Sequence, residues 1–203
     1  MYQGTDDLRD GRAGVHWYTV LVTTLVAAWA LLLSPAYGQA PGPITPPRTV
    51  EAVDLARYAG TYYEIARFPN RFQKQCAGDV TATYTIQPDG RISVINRCRR
   101  EDGSIDEARG VVRQAGNDTS NAKLEVRLAP AWLSFLPQVW GDYWILTVGP
   151  DYSYALVGSP SRDYLWILSR VPQMPDLAYR QAVEVAKANG YDISRLVKTG
   201  LGS

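Results

Sequence analysis

The chain has 203 residues, a formal net charge of +1 and 46% hydrophobic residues, which fits one ordinary globular domain with a segment to spare. A balance this close to neutral gives no electrostatic basis for binding nucleic acid. The single histidine, His16, lies ahead of the part read below as the folded domain, so that domain offers no Ser-His-Asp arrangement and no histidine metal site.

In chain order, Arg9 and Arg12 precede an uncharged run from Val15 to Leu33, followed by Ser34-Pro35-Ala36-Tyr37-Gly38-Gln39-Ala40. This is the layout of an export signal, with small residues at Ala36 and Gly38, or at Gly38 and Ala40, where cleavage would fall. The run is also near the length that spans a bilayer, so an uncleaved signal-anchor is the alternative. Either way the folded part is exported. No cysteine stands near the cleavage region for lipid attachment. Residues 1–40 are therefore read as the export signal or anchor. Residues 41–49, with four prolines and a glycine between Pro41 and Pro47, form an extended spacer, and 50–203 is the domain.

Gly60 to Phe68 reads as the first strand, and Pro69 to Asp79, without alternation, as a long loop. Val80 to Ile86 alternates small or polar with larger residues, turns at Pro88-Asp89-Gly90 and returns from Arg91 to Arg97. Glu107 to Ala115 and Lys123 to Leu128 continue the pattern across the turn cluster 116–121, and Asp142 to Val148, Tyr154 to Gly158 and a last strand ending at Arg170 follow. About eight strands joined mostly by short turns predict an all-β, antiparallel up-and-down barrel, the size at which a closed sheet holds one small ligand. From Pro175 to Asn189 the period changes, and Leu177, Ala178, Val183, Val185 and Ala186 mark a helix that stops at Asn189-Gly190 and packs outside the barrel. Tyr191 to Val197 is expected to be a short extended segment.

Two further features carry expectations of their own. Cys76 and Cys98, the only cysteines, flank the first hairpin; an even count in an oxidising compartment reads first as a disulfide, two buried thiols being the alternative. The stretch from Ala129 to Trp140 carries no charge. As a connection at the barrel rim it is either a lid or a contact surface for a membrane or a second copy, carried by Trp132, Leu133, Phe135 and Leu136.

Several of these segments resemble the lipocalin family. Gly60-Thr61-Tyr62-Tyr63 is similar to the family's Gly-x-Trp-Tyr signature with tyrosine in the tryptophan place, Gly141-Asp142-Tyr143-Trp144 resembles its second segment, and Arg170 matches the arginine of its third. The strings YEIARF, VTATY, VIN and DYLWILSR look like the branch of bacterial outer-membrane lipocalins, plant temperature-induced lipocalins and apolipoprotein D. The resemblance runs from about Tyr58 to Val197. It implies that Gly60, Tyr62 and Arg170 form the closed barrel base, with Arg170 stacked on Tyr62.

With that anchor, alternation points Tyr62, Glu64 and Ala66 inward, as well as Tyr164, Trp166, Leu168 and Arg170, and Tyr143 with Ile145 and Thr147. Glu64, Tyr84, Asn96, Val126, Tyr143 and Trp166 are the candidate ligand contacts, mixing apolar wall with a few polar groups. The implied function is reversible binding, storage or transport of a small hydrophobic ligand, a fatty acid or lysophospholipid, by a protein of the periplasm or outer membrane, with no cofactor, no metal and no catalytic residue. Two alternatives stand beside it. One is an enzyme on the same barrel acting on a lipid or carotenoid-like substrate, for which Glu64 is the one placeable acid. The other is a docking protein that uses the 132–140 loop against a membrane surface or as a homodimer.

Overall fold

A computed structural model describes residues 45–129 and 133–200; the export segment, residues 41–44 of the proline spacer and Trp132 lie outside them. A short helix, α1 (Leu55–Tyr58), leads into β1 (Gly60–Arg67), β2 (Gly78–Ile86), β3 (Ile92–Arg99), β4 (Ile105–Gln114), β5 (Lys123–Arg127), β6 (Gly141–Val148), β7 (Tyr154–Gly158) and β8 (Leu165–Ser169). Helix α2 (Asp176–Ala188) and a two-residue strand β9 (Val197–Lys198) follow.

Each strand from β1 to β8 pairs antiparallel with the next, and β1 pairs with β8 as well as β2, so the sheet closes into an eight-stranded barrel. Alternation builds the early wall. In β2, Val80, Ala82 and Tyr84 are buried while Thr81 and Thr83 stay partly exposed, the pattern of a strand with one face on a core. In β7 all five residues are buried, because α2 covers its outer face. Tyr154, Leu156, Leu165 and Ile167 meet Ala182 and Ala186 of α2 there, while Ala155 and Val157 point into the barrel core. The two alanines are wholly buried, and their small side chains let the helix approach closely.

Two β-bulges alter the inward sets. In the β1–β8 pairing the register shifts between Glu64 and Ala66, and in β6–β7 between Ile145 and Thr147. A bulge places two residues opposite one and reverses the faces beyond it. Ala66 therefore pairs with Ile167 and joins the outer cluster, while Arg67 pairs with Trp166 and turns inward. Thr147 likewise pairs with outward Leu156, and Val148 packs on the inner core. Strict alternation from Tyr62 and Tyr143 assigned Ala66 and Thr147 to the interior; the bulges put both outside.

Where β2 leaves β1 after the Tyr63–Thr81 pair, the C-terminal segment fills the seam. Lys198 pairs with Ala66 and Val197 with Arg67. The Thr199 amide donates to the Ile65 carbonyl at 3.0 Å and the Asp79 amide to the Gly200 carbonyl at 2.9 Å. Gly78 is needed here, since a β-carbon on it would lie 2.4 Å from the Gly200 carbonyl oxygen. The expected extended tail is thus a short 3₁₀ turn, Ile193–Arg195, followed by this stitch.

Candidate functional site

One end of the barrel is solid. Asp54 caps α1 by accepting from the amides of Ala56 and Arg57, and α1 places Tyr58 against Tyr62, Tyr84 and Tyr152, with ring centroids 5.2 to 6.5 Å apart. The Tyr143 hydroxyl lies 2.7 Å from those of both Tyr58 and Tyr84. Burial in this apolar cluster pushes Tyr62 up to about 12 and the phenols of Tyr58, Tyr84 and Tyr143 up as well. The space left beside Tyr84, Ile92, Leu124 and Tyr143 is about 10 Å³, at the lower limit for one water molecule.

Arg170 seals this end. Its guanidinium lies 3.8 Å from the centre of the Tyr62 ring and donates to the carbonyls of Arg57, Tyr58, Ala59 and Thr61 at 2.8 to 3.1 Å. Carbonyls at the end of α1 have no partner within the helix, and a cation is the group they favour. Gly60 (φ +103°) makes room: a β-carbon there would stand 2.9 Å from Arg170 Nη1.

At the opposite end, where β1 finishes, the interior becomes polar. Glu64 is only 3% exposed. It accepts from Gln73 Nε2 at 2.6 Å and, through a short bond, from Thr199 Oγ1. Gln73 Oε1 in turn accepts from Trp166 Nε1 at 3.1 Å and Asn70 Nδ2 at 2.8 Å. Tyr164 stacks on Trp166, with rings 5.8 Å apart and within 7° of parallel. Burial pushes the Glu64 carboxyl up, partly offset by Thr199, Gln73 and nearby Arg67, whose Nε is 3.6 Å from Glu64 Oε1. Outside the seam, Glu64 and Thr199 also border a pocket of about 180 Å³ that reaches Met174, Asp176 and Tyr179.

The candidate ligand contacts therefore separate. Tyr84 and Tyr143 belong to the closed-end cluster, and their hydroxyls are engaged with each other. Glu64 and Trp166 share the polar network near the mouth. Val126 packs on the inner core, and Asn96, partly buried, pairs with Ala82 and Ala108 on the neighbouring strands. Three mouth residues have no counterpart in the sequence reading. Arg67 is turned in by a bulge, Gln73 comes from a loop, and Thr199 comes from the tail. Asn70, which caps the Arg71–Gln73 turn by accepting from the Phe72 amide, was the one local signal that this loop is structured.

The Gln73 loop is tethered twice, by that network and by the Cys76–Cys98 disulfide to β3, with α-carbons 5.5 Å apart. Across the rim, Phe135 is 73% exposed, while Leu133 and Leu136 are partly buried. Trp140 is folded down, donating from Nε1 to the Ser134 carbonyl with the Arg113 guanidinium 3.8 Å from its ring centre.

A barrel with a plugged end, a polar mouth and a helix on its outer wall is a cup-shaped, calyx-type fold. The chain belongs to the lipocalin family: the Lipocalin-like domain model matches residues 53–200. It is 47% identical to temperature-induced lipocalin-1 of Arabidopsis thaliana over 151 residues, covering 74% of this chain and 80% of that one. It is 40% identical to the outer membrane lipoprotein Blc of Escherichia coli K12 over 157 residues, covering 75% and 84%. Mouse apolipoprotein D is 32% identical over 190 residues, covering 89% and 95%. Among solved structures, insecticyanin of the tobacco hornworm Manduca sexta superposes with a TM-score of 0.61 at 20% identity, covering 81% and 89%; this likeness is one of fold.

Proposed function

We propose that this lipocalin is an exported carrier that binds a single-chain lipid, a fatty acid or lysophospholipid, non-covalently inside the barrel and stores or moves it at the cell envelope. The observation that carries the reading is the polarity gradient of the interior, apolar and sealed by Arg170 and Tyr62 at one end and polar at Glu64, Gln73 and Trp166 at the other. An acyl chain gains about 0.8 kcal/mol per buried methylene, and a few polar groups suffice to orient a head. Membership of a family of small-hydrophobe binders and kinship with an outer membrane lipoprotein support both parts. Residues 1–40 would direct export and 41–49 would space the domain from the membrane.

The test is titration of the domain with a fluorescent fatty-acid analogue, together with native mass spectrometry of protein purified from its own envelope fraction. Saturable binding that quenches tryptophan emission, less so in Trp166→Phe, is expected. No saturable binding of any single-chain lipid would overturn the reading. A second reading rests on Phe135: an aromatic ring this exposed at the rim favours docking on a membrane surface or a second copy. Both are binding roles. Turnover of the bound lipid, instead of its release, would mark an enzyme with Glu64 as its acid.

A further inference from the structure

Arg67 is an inward cation whose side chain makes no hydrogen bond among the described residues. The bulge at Glu64–Ala66 turns it to the same face as Trp166, with its side chain 15% exposed. Its Nε is buried and donates to nothing among the described residues. The ion-pair partner, Glu64, stands 3.6 Å away, beyond hydrogen-bond reach, and both Glu64 oxygens already accept shorter bonds from Gln73 and Thr199. A guanidinium left in this state on a half-buried wall carries a desolvation cost that an acceptor brought by a ligand would repay.

We propose that Arg67 is the head-group site, and that the ligand is a single-chain lipid with an anionic head, a carboxylate or a phosphate, lying across the Arg67 guanidinium with its chain directed toward the tyrosine plug. This deepens the carrier reading and rests on it. Arg67 sits at the mouth end of β1, five positions from Tyr62 at the plug, so a chain running from a head held here toward Tyr62 lies along the apolar inner wall. The raised tendency of buried Glu64 to hold its proton works in the same direction. A neutral Glu64 leaves Arg67 without its ion-pair partner, and an ionised one competes with the ligand head.

The experiment compares oleate with oleyl alcohol, equal in chain and different in head, on the wild-type domain and on Arg67→Met, Arg67→Gln and Glu64→Gln. In the wild type, oleate should bind at least about tenfold tighter than the alcohol, the size of a charge-assisted bond. Both Arg67 variants should lose that preference while keeping alcohol affinity, and Glu64→Gln should tighten oleate alone. Lysophosphatidic acid should follow oleate. If oleyl alcohol binds but oleate binds no tighter, or if the preference survives both Arg67 substitutions, the head-group site is wrong while the carrier stands. Acetate or inorganic phosphate binding as tightly as oleate would also overturn it, by showing a site for free anions. If neither oleyl probe binds the wild type, the carrier reading falls and this inference with it.

Discussion

Arg170 does more than stack. It collects four carbonyls from α1 and the start of β1 as well as the Tyr62 ring, so Arg170→Ala should cost about 2–3 kcal/mol of stability. Ligand affinity in the folded fraction should stay nearly unchanged. An unaltered melting temperature with collapsed affinity would move Arg170 into the ligand site. Glu64 gives a pH signature. Burial raises its carboxyl in the fold, so the stability it contributes is full below the ordinary glutamate range and is lost as pH rises through the raised value. Denaturant titrations at several pH values should show that decline, and Glu64→Gln should flatten it; an unchanged slope would place Glu64 in contact with water. The tyrosine plug behaves the same way in alkali. With the phenol of Tyr62 at about 12 and those of Tyr58, Tyr84 and Tyr143 also raised, their phenolate absorbance should appear only together with loss of the barrel's circular dichroism. Tyr62 and Arg170 were readable as a pair because each falls in a short motif resembling the family's, one on β1 and the other just past the end of β8. Arg67 was not, because the inversion that turns it inward is a backbone event at Glu64–Ala66 that no side chain announces.

Among the elements, the loop from Pro69 to Ala77 shows how far a segment without alternation can still be ordered. Asn70 caps its turn, Gln73 reaches Glu64 and Trp166, and Cys76 fixes its far end to β3. A closed loop of 22 residues should stabilise the domain by about 3 kcal/mol in the chain-entropy account. Denaturation with and without reductant measures it, and a Cys76→Ala, Cys98→Ala double variant should match the reduced protein. The rim loop calls for a different experiment. Replacing Leu133, Phe135 and Leu136 with serine should lower partitioning onto lipid vesicles or shift a dimer toward monomer while leaving the melting temperature within a few degrees. If neither changes, the loop is a lid. Early strands with one solvent face, such as β2, were legible by period. β7 and β8 were legible only as apolar runs, because α2 buries their second face and erases the alternation. α1 is too short to leave a periodic signal.

At the scale of the whole molecule, the strand count, the closed sheet and the outer helix followed from turn spacing and from the change of period after Pro175. The seam did not. Which strand covers the gap between β1 and β2 depends on where those strands part, and that is set by twist and bulges spread over the sheet. Deleting residues 197–203 should therefore lower the melting temperature and release the Asp79 amide, now bonded to Gly200, to fast hydrogen exchange. The pairing of β1 with β8 should keep its protection. Loss of protection throughout would show that the stitch is required for closure and does not merely cover it.

The stitch also sets a timetable. Glu64 and Thr199 are 135 positions apart, so a chain synthesised from its N-terminus holds every barrel strand before it holds the residues that cover the seam. Until then a buried acid lacks one of its two hydrogen-bond donors, and the gap beside it stays open. Covering the seam, which waits on such distant partners, is slow. On the export reading proposed above, that delay would leave the seam uncovered while the chain crosses the membrane.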